Sequence, residues 1–128
     1  MTLLEAMPFS VACGVEVDAA GPEEVKARMA WSEERCTAGG VLHGGALMTL
    51  ADSVGGICAF LNLPEGALTS TVESKTNFMR PVRAGAAWAT TRPLHVGRQT
   101  IVLQTEIRDD AGKLVAFVTQ TQAVLRTT

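Results

Sequence analysis

Tyrosine is absent from this chain, and aromatic side chains are few: four Phe and two Trp among 128 residues. Lys and Arg are scattered and number 11 against 13 Asp and Glu, for a net charge of −2. With no basic face and little to stack on bases, a nucleic-acid partner is not expected. Cysteine is scarce too. Cys13, Cys36 and Cys58 are odd in number, far apart and without a Cys-x-x-Cys pair. That excludes a disulfide framework, gives no metal-ligand spacing, and predicts reduced, mostly buried thiols. Charged residues make up 19% and apolar ones 47%, which excludes a disordered polyelectrolyte. There is no internal repeat, low-complexity tract or linker. A single domain over 1–128 is expected, long enough to bury a core without metal or disulfide. Met1 to Glu5 lacks the basic flank and apolar run of a secretory signal, so the cytoplasm is the expected compartment.

Turning to what is present, Val41 to Leu61 is almost entirely apolar and long enough to suggest a membrane span. Asp52 stands at its centre, where a carboxylate costs on the order of 3 kcal/mol in a bilayer. A buried helix and no membrane partner is the better reading. Leu47, Leu50, Ala51, Val54, Cys58 and Leu61 recur at three and four, the spacing of one helical face. Asn62 to Gly66 stops that helix. Before it, Leu3 to Phe9 suggests a short helix ended near Pro8, and Val11 to Asp18 a strand. Val25, Ala27, Met29 and Trp31 alternate as a second strand, and Ser32 to Gly40 reads as a loop. After the helix come strands at Leu68 to Arg80, Ala86 to Val96, around Ile101 to Ile107, and Leu114 to Leu125. Ala84-Gly85, Gly97-Arg98 and Asp109 to Gly112 supply turns. Pro93 cannot donate to a ladder and predicts an edge or bulge. The order is α+β: an antiparallel sheet must wrap one helix. A helix apolar nearly all round needs cover on more than one side, which points to a partner subunit.

Between Arg35 and Glu65 the only charged side chain is Asp52. A carboxylate inside an apolar helix is costly to bury and is a candidate functional group. The plainer account places it on an exposed stripe, or bonds it to Ser53 or Thr49. A second feature is His43-Gly44-Gly45 where the helix begins. Helix N-termini present unpaired N–H groups and a partial positive charge, and glycines let a carbonyl come close. That arrangement polarises a carbonyl during acyl transfer. The plainer account is a tight turn with His43 bonded locally. Gly44 and Asp52 are eight residues apart, roughly 12 Å along an α-helix. One thioester cannot touch both on one helix. If both act, an antiparallel helix of a partner subunit supplies one of them, and a dimer carries two equivalent sites.

Pro8-Phe9, Leu42-His43-Gly44-Gly45-Ala46-Leu47, Leu50-Ala51-Asp52, Asn77-Phe78-Met79-Arg80-Pro81-Val82, Ala84-Gly85 and Gly97-Arg98 follow one another as in the hotdog thioesterases. The resemblance runs from Pro8 to Leu125. It is to the branch similar to phenylacetate-degradation thioesterases, within the 4-hydroxybenzoyl-CoA thioesterase superfamily. It implies a hotdog fold, a long helix wrapped by an antiparallel sheet, paired into homodimers and often homotetramers. It implies an acyl-CoA thioesterase acting on aromatic or fatty acyl esters, with coenzyme A entering only as part of the substrate and no cofactor or metal. The motif glycine offering its amide to the thioester carbonyl is then Gly44, flanked by Gly45, and the helix carboxylate acting as base or nucleophile is Asp52. His43 orients substrate or water. A hydroxyl on the following strand assists, either Thr71 or Ser70. Related enzymes often carry an Asn about six residues before the motif His. Thr37 stands here and donates with shorter reach.

Arg80, Arg83 and Arg98 adjoin turns and are candidates for CoA phosphates, set against the plainer account of solvated surface charge. Trp31, Trp88 and the methionines read as packing groups. Cys58 lies on the helix without an activating base and reads as structural. Two other functions fit the same pattern. A hotdog dehydratase or hydratase pairs a helix carboxylate with a His, and His95 is the only other His. A non-catalytic acyl-CoA-binding module would not need Asp52 and His43-Gly44 together.

Overall fold

The computed structural model describes residues 2–126, so the expected 1–128 domain extends past the described residues at both ends. In chain order come a short helix α1 (Pro8–Ala12) and strands β1 (Val15–Ala20) and β2 (Val25–Ala30). A 3-10 turn at Glu33–Arg35 leads to the long helix α2 (Gly44–Leu61). Strands β3 (Leu68–Phe78), β4 (Ala86–Val96), β5 (Thr100–Arg108) and β6 (Leu114–Leu125) follow. Among the described residues the strands form one antiparallel sheet, in the order β1-β2-β4-β5-β6-β3. Two strands, one helix and four strands is the α+β order that the patterning predicts.

Alternation with period two lets this sheet bury one face. Val25, Ala27 and Met29 of β2 point to the core, as do Ile101, Leu103, Thr105 and Ile107 of β5. α2 meets that face with Leu47, Leu50, Ala51, Val54, Ile57 and Cys58, all buried. Each large side chain so buried contributes on the order of 1.5–3 kcal/mol. By length and composition α2 is long and apolar enough to cross a bilayer, but here it is the core helix against which the sheet packs. Its far side stays open. Met48, Asp52 and Phe60 are exposed and Gly56 is half-buried, a stripe repeating every fourth residue.

Three local expectations need correction or refinement. Pro8 opens α1 instead of ending a helix, and β1 starts at Val15, not Val11. Proline suits the first helical turn because its missing N–H would have no partner there. Gly14, at φ 83, then turns the chain into β1. The turn at Ala84-Gly85 does not fold β3 onto β4: β3 pairs with β6, from Leu68↔Leu125 to Phe78↔Ala116, and lies at the sheet edge. Segment 79–85 is a crossing strap, held by Leu42 N–H donating to Val82 O (2.9 Å) and Trp31 N–H to Gly85 O (2.7 Å). Pro93 meets both of its expectations. It lies beyond the last β2 partner, Thr91, and the β4–β5 register shifts between Pro93 and His95.

One polar pair sits inside the core. Thr91 and Thr105 face each other across β4 and β5, both buried, with Oγ1 atoms 2.6 Å apart. Thr91→Val alone strands the other hydroxyl and should cost about 1–3 kcal/mol, whereas the double valine variant should come close to wild type. Urea unfolding of the two single variants and the double variant checks this, and a merely additive loss contradicts it.

Candidate active site

The N-terminus of α2 is capped by an unusual group. His43 is extended (φ −60, ψ 137) and its Nδ1 accepts the Gly45 N–H at 2.7 Å. Ser, Thr, Asp or Asn usually does this. An Nδ1 that accepts puts the proton of the neutral ring on Nε2. The Gly45 amide is thereby spent, and the first-turn N–H of Gly44 has no partner among the described residues. The Phe78 ring lies over Gly44, whose Cβ, if it had one, would sit 3.1 Å from Phe78 Cζ. Arg80 lines the same shallow depression as Gly44, with Val41 and Met79.

Two turns further along α2, Asp52 projects from the open stripe toward β3 and β6. Its Oδ1 accepts the Thr71 hydroxyl at 2.9 Å and the Gln120 side-chain amide at 2.6 Å. Gln122 Nε2 donates to Thr71 Oγ1 at 2.6 Å, and the Thr69 hydroxyl lies 3.0 Å from Gln122 Oε1. The plainer account of Asp52 is half right. It does lie on the exposed stripe, yet its bonds run across to two strands and not to Ser53 or Thr49. Ser53 is engaged elsewhere, with Ser10 Oγ and Thr49 O at 2.6 Å each.

The strand geometry explains which hydroxyl reaches the carboxylate. Thr71 pairs with Gln122, and both point to the helix side. Ser70, one residue earlier, lines the cleft beside Asp52 but makes no bond to it. The β3–β6 register shifts at the bulge between Thr71 and Glu73. That bulge keeps Ser74 on the helix side, against a second depression lined by Met48, Asp52 and Thr71.

An apolar cleft of about 400 Å³ runs from Asp52 past Gly56, Ile57 and Phe60 to Leu3 and Met7. The structure thus brings Asp52, Thr71 and Ser70 together, and Gly44, Gly45, His43 and Arg80 together. The two groups stand at different points of α2. Thr37 is exposed in its loop and lines neither depression; its N–H donates to Val41 O at 2.9 Å. Arg98 lies in a separate polar hollow with His95, Gln99 and Arg126. His95 therefore does not share a cleft with Asp52, as a dehydratase pairing within one chain would require. Arg83 donates to Gly39 O at 3.3 Å.

Gln120 and Gln122 went unnoticed in the sequence. The signal was there: Ala116 and Val118 point inward on β6, and the same phase carries on to Gln120 and Gln122, both buried. An amide on an inward phase needs a polar partner.

Cys58 fits its structural reading. Burial pushes its thiol up to about 11, and its Sγ–H faces Pro22 O at 3.7 Å. A shift of that size leaves about a hundredfold less thiolate near neutral pH. Iodoacetamide at pH 7.5 should label Cys58 of the folded protein at least about tenfold more slowly than the half-buried Cys13 and Cys36. Peptide mapping reads the rates, and equal labelling contradicts this account.

Residues 39–116 match the model of a family described as the thioesterase superfamily. A Haemophilus influenzae relative is 33% identical over 112 residues, spanning 88% of this chain and 81% of its own. The 1,4-dihydroxy-2-naphthoyl-CoA hydrolase of Escherichia coli is 35% identical over 86 residues, 67% of this chain and 63% of that one. Among solved structures, a Haemophilus influenzae thioesterase superposes with a TM-score of 0.88 at 30% identity, covering 98% of this chain and 92% of that one. A mutant thioesterase from Pseudomonas aeruginosa gives 0.92 at 27% identity, with the same coverage of 98% and 92%. The wrapped helix is therefore the hotdog fold that the resemblance implied. These matches reach the superfamily and do not single out the phenylacetate-degradation branch.

Proposed function

The chain belongs to the thioesterase superfamily and is a thioester hydrolase, and on that premise we propose that it cleaves aromatic or fatty acyl-CoA to free acid and coenzyme A. The observation that carries this reading is Asp52, a lone carboxylate bordering an apolar cleft and held by Thr71 and Gln120. The Gly44 N–H and the positive end of α2 bind the thioester carbonyl and favour the charge that develops on its oxygen. Asp52 drives the attack on the carbonyl carbon, as a base taking a proton from water or as a nucleophile forming a mixed anhydride that water then opens. The thiolate of coenzyme A leaves and takes a proton.

Eight residues of helix separate Gly44 from Asp52, so in this reading each site uses Gly44 of one subunit and Asp52 of the other. The exposed surface supports such a pairing. β3 is an edge strand with unpaired backbone groups on its outer side, and Leu68 (58%), Val72 (66%) and Phe78 (51%) are exposed along it. Phe78 lies over Gly44 on the helix side, and Met48 and Phe60 are exposed on the open α2 stripe. A second copy covers this area and seals the cleft around Asp52. His43 then has Nε2–H free to donate to substrate or water. Gly45 helps through its small size, since its amide is already bonded. Arg80 beside Gly44, and Arg98 with Arg126, are the candidate partners of CoA phosphates, and Thr37 is the outer loop contact. The cleft past Ile57 and Phe60 takes the acyl group. The naphthoyl-CoA activity of the Escherichia coli relative favours aromatic groups. Free cysteines and a reducing cytoplasm agree.

Thiol release from phenylacetyl, hydroxybenzoyl, naphthoyl and a series of fatty acyl-CoAs tests the reaction. Asp52→Ala should lose at least about a thousandfold in kcat/KM with its fold intact. Gly44→Pro removes the N–H at a position where proline suits a helix, and should lose about a hundredfold or more. Gly44→Ala keeps the N–H and should retain most activity once the exposed Phe78 ring shifts. No release from any ester by wild type, or full activity in Asp52→Ala, overturns the reading.

A further inference from the structure

The helix face of β6 carries a residue that core packing does not explain. Gln120 is 1% exposed, and its Oε1 is buried without a hydrogen-bond partner among the described residues. A leucine would fill that place at no such cost, because an unpaired buried carbonyl destabilises a fold. α2 also gives way to it. Gly55 is buried in mid-helix, and a Cβ there would overlap Gln120 Oε1. Glycine weakens a helix interior, so two unfavourable choices meet at one point. What they secure together is the other end of the amide, Nε2, 2.6 Å from Asp52 Oδ1.

The same oxygen accepts the Thr71 hydroxyl. That hydroxyl has a single proton, which goes to Asp52, while its lone pairs take Gln122 Nε2 at 2.6 Å. Thr71 therefore has no proton left for water or substrate in this arrangement. Among the described residues both donors to Asp52 converge on Oδ1, and Oδ2 has none. We infer that Gln120 is a positioning residue for the hydrolytic carboxylate: with Thr71, itself oriented by Gln122, it pins Asp52 Oδ1 and leaves Oδ2 as the oxygen that acts on water or thioester. This rests on the hydrolase reading above for its consequence in rate, but the pinning itself does not.

A carboxylate whose charged form loses a donor holds its proton to higher pH. The surroundings make that effect readable. Within one chain the two depressions that Asp52 borders are lined by no other titratable side chain among the described residues, and a paired site adds His43 of the other subunit. Asp52 is the only charged residue of α2. On β3, Glu73 and Lys75 pair with Thr121 and Thr119, on the face away from the helix. Neither the inward residues of β6 nor the residues of α1 include a charge.

The test compares wild type with Gln120→Leu, Gln120→Glu and Gly55→Ala. In Gln120→Leu, kcat should fall at least about tenfold, the loss of a hydrogen bond to a charged group, with KM within about twofold. The acid limb of kcat/KM against pH should move to higher pH. Gly55→Ala, which displaces the amide without touching Asp52, should move the limb in the same direction. Gln120→Glu sets a second carboxyl on Oδ1 and should move it further. A fall in kcat with the acid limb unmoved in all three would make Gln120 a packing residue and overturn the inference. Carbon-13 titration of the Asp52 carboxyl, assigned with Asp52→Asn, reads the pin without turnover. If wild type hydrolyses no ester, the hydrolase reading falls, while a titration curve moved to higher pH in Gln120→Leu still upholds the pin. An unmoved curve removes it. Should Gln120→Leu fail to fold, the isosteric Gln120→Glu and Gly55→Ala decide by the same curves.

Discussion

Asp52, the one charge on an otherwise uncharged helix, is held by side chains of two strands, and much of this architecture follows from how that is done. Asp52 keeps one oxygen bonded to β3 through Thr71 and to β6 through Gln120. For that, β3 must lie beside β6, so the chain crosses over after Phe78 instead of making a hairpin. Gly55 must lack a side chain so that Gln120 can approach the helix. Thr71 must face α2 while the strand around it is reset by a bulge. Hydrogen bonds to a charged group are the stronger ones, on the order of 1.5–3 kcal/mol each. Two of them on one oxygen outweigh a mid-helix glycine, which costs about 1 kcal/mol.

The same helix also presents a free amide at its start, and helix geometry keeps the two features apart. His43 takes the Gly45 N–H into its own ring and leaves Gly44 as the open donor. The stripe joining the two ends, Met48, Asp52, Gly56 and Phe60, is the side of α2 that the sheet does not cover. An apolar stripe with a carboxylate in it is poorly suited to water as its permanent neighbour. In the reading proposed above, a second copy laid antiparallel would cover the stripe and set the amide of one helix opposite the carboxylate of the other.

Much of this was legible from the residues. Three-and-four spacing gave α2, alternation gave the inward faces of β2 and β5, and Pro93 marked its own bulge. Asp52 stood out because no other charge lies between Arg35 and Glu65. The rest was hidden for definite reasons. Pro8 is equally good evidence for a helix end or a helix start, since only the neighbouring hydrogen bonds decide. The partner of β3 depends on closure of the whole sheet, which local turn residues do not encode. Gln120 and Gln122 look like surface residues beside Thr119 and Thr121, and only the phase carried forward from Val118 puts them inside. Choosing Thr71 over Ser70 needed the strand register, because one residue of slip exchanges the two faces.

The claim that one site draws Gly44 and Asp52 from different subunits is tested most directly by mixing two inactive proteins. Asp52→Ala and Gly44→Pro are each purified, mixed in equal amounts, unfolded and refolded together, and assayed for thiol release. In a shared site the hybrid dimer has one position with both defects and one with neither. Random pairing then restores about a quarter of wild-type activity. If Gly44 and Asp52 of the same chain served one site, every site in the mixture would be defective and activity would stay at the level of the separate variants.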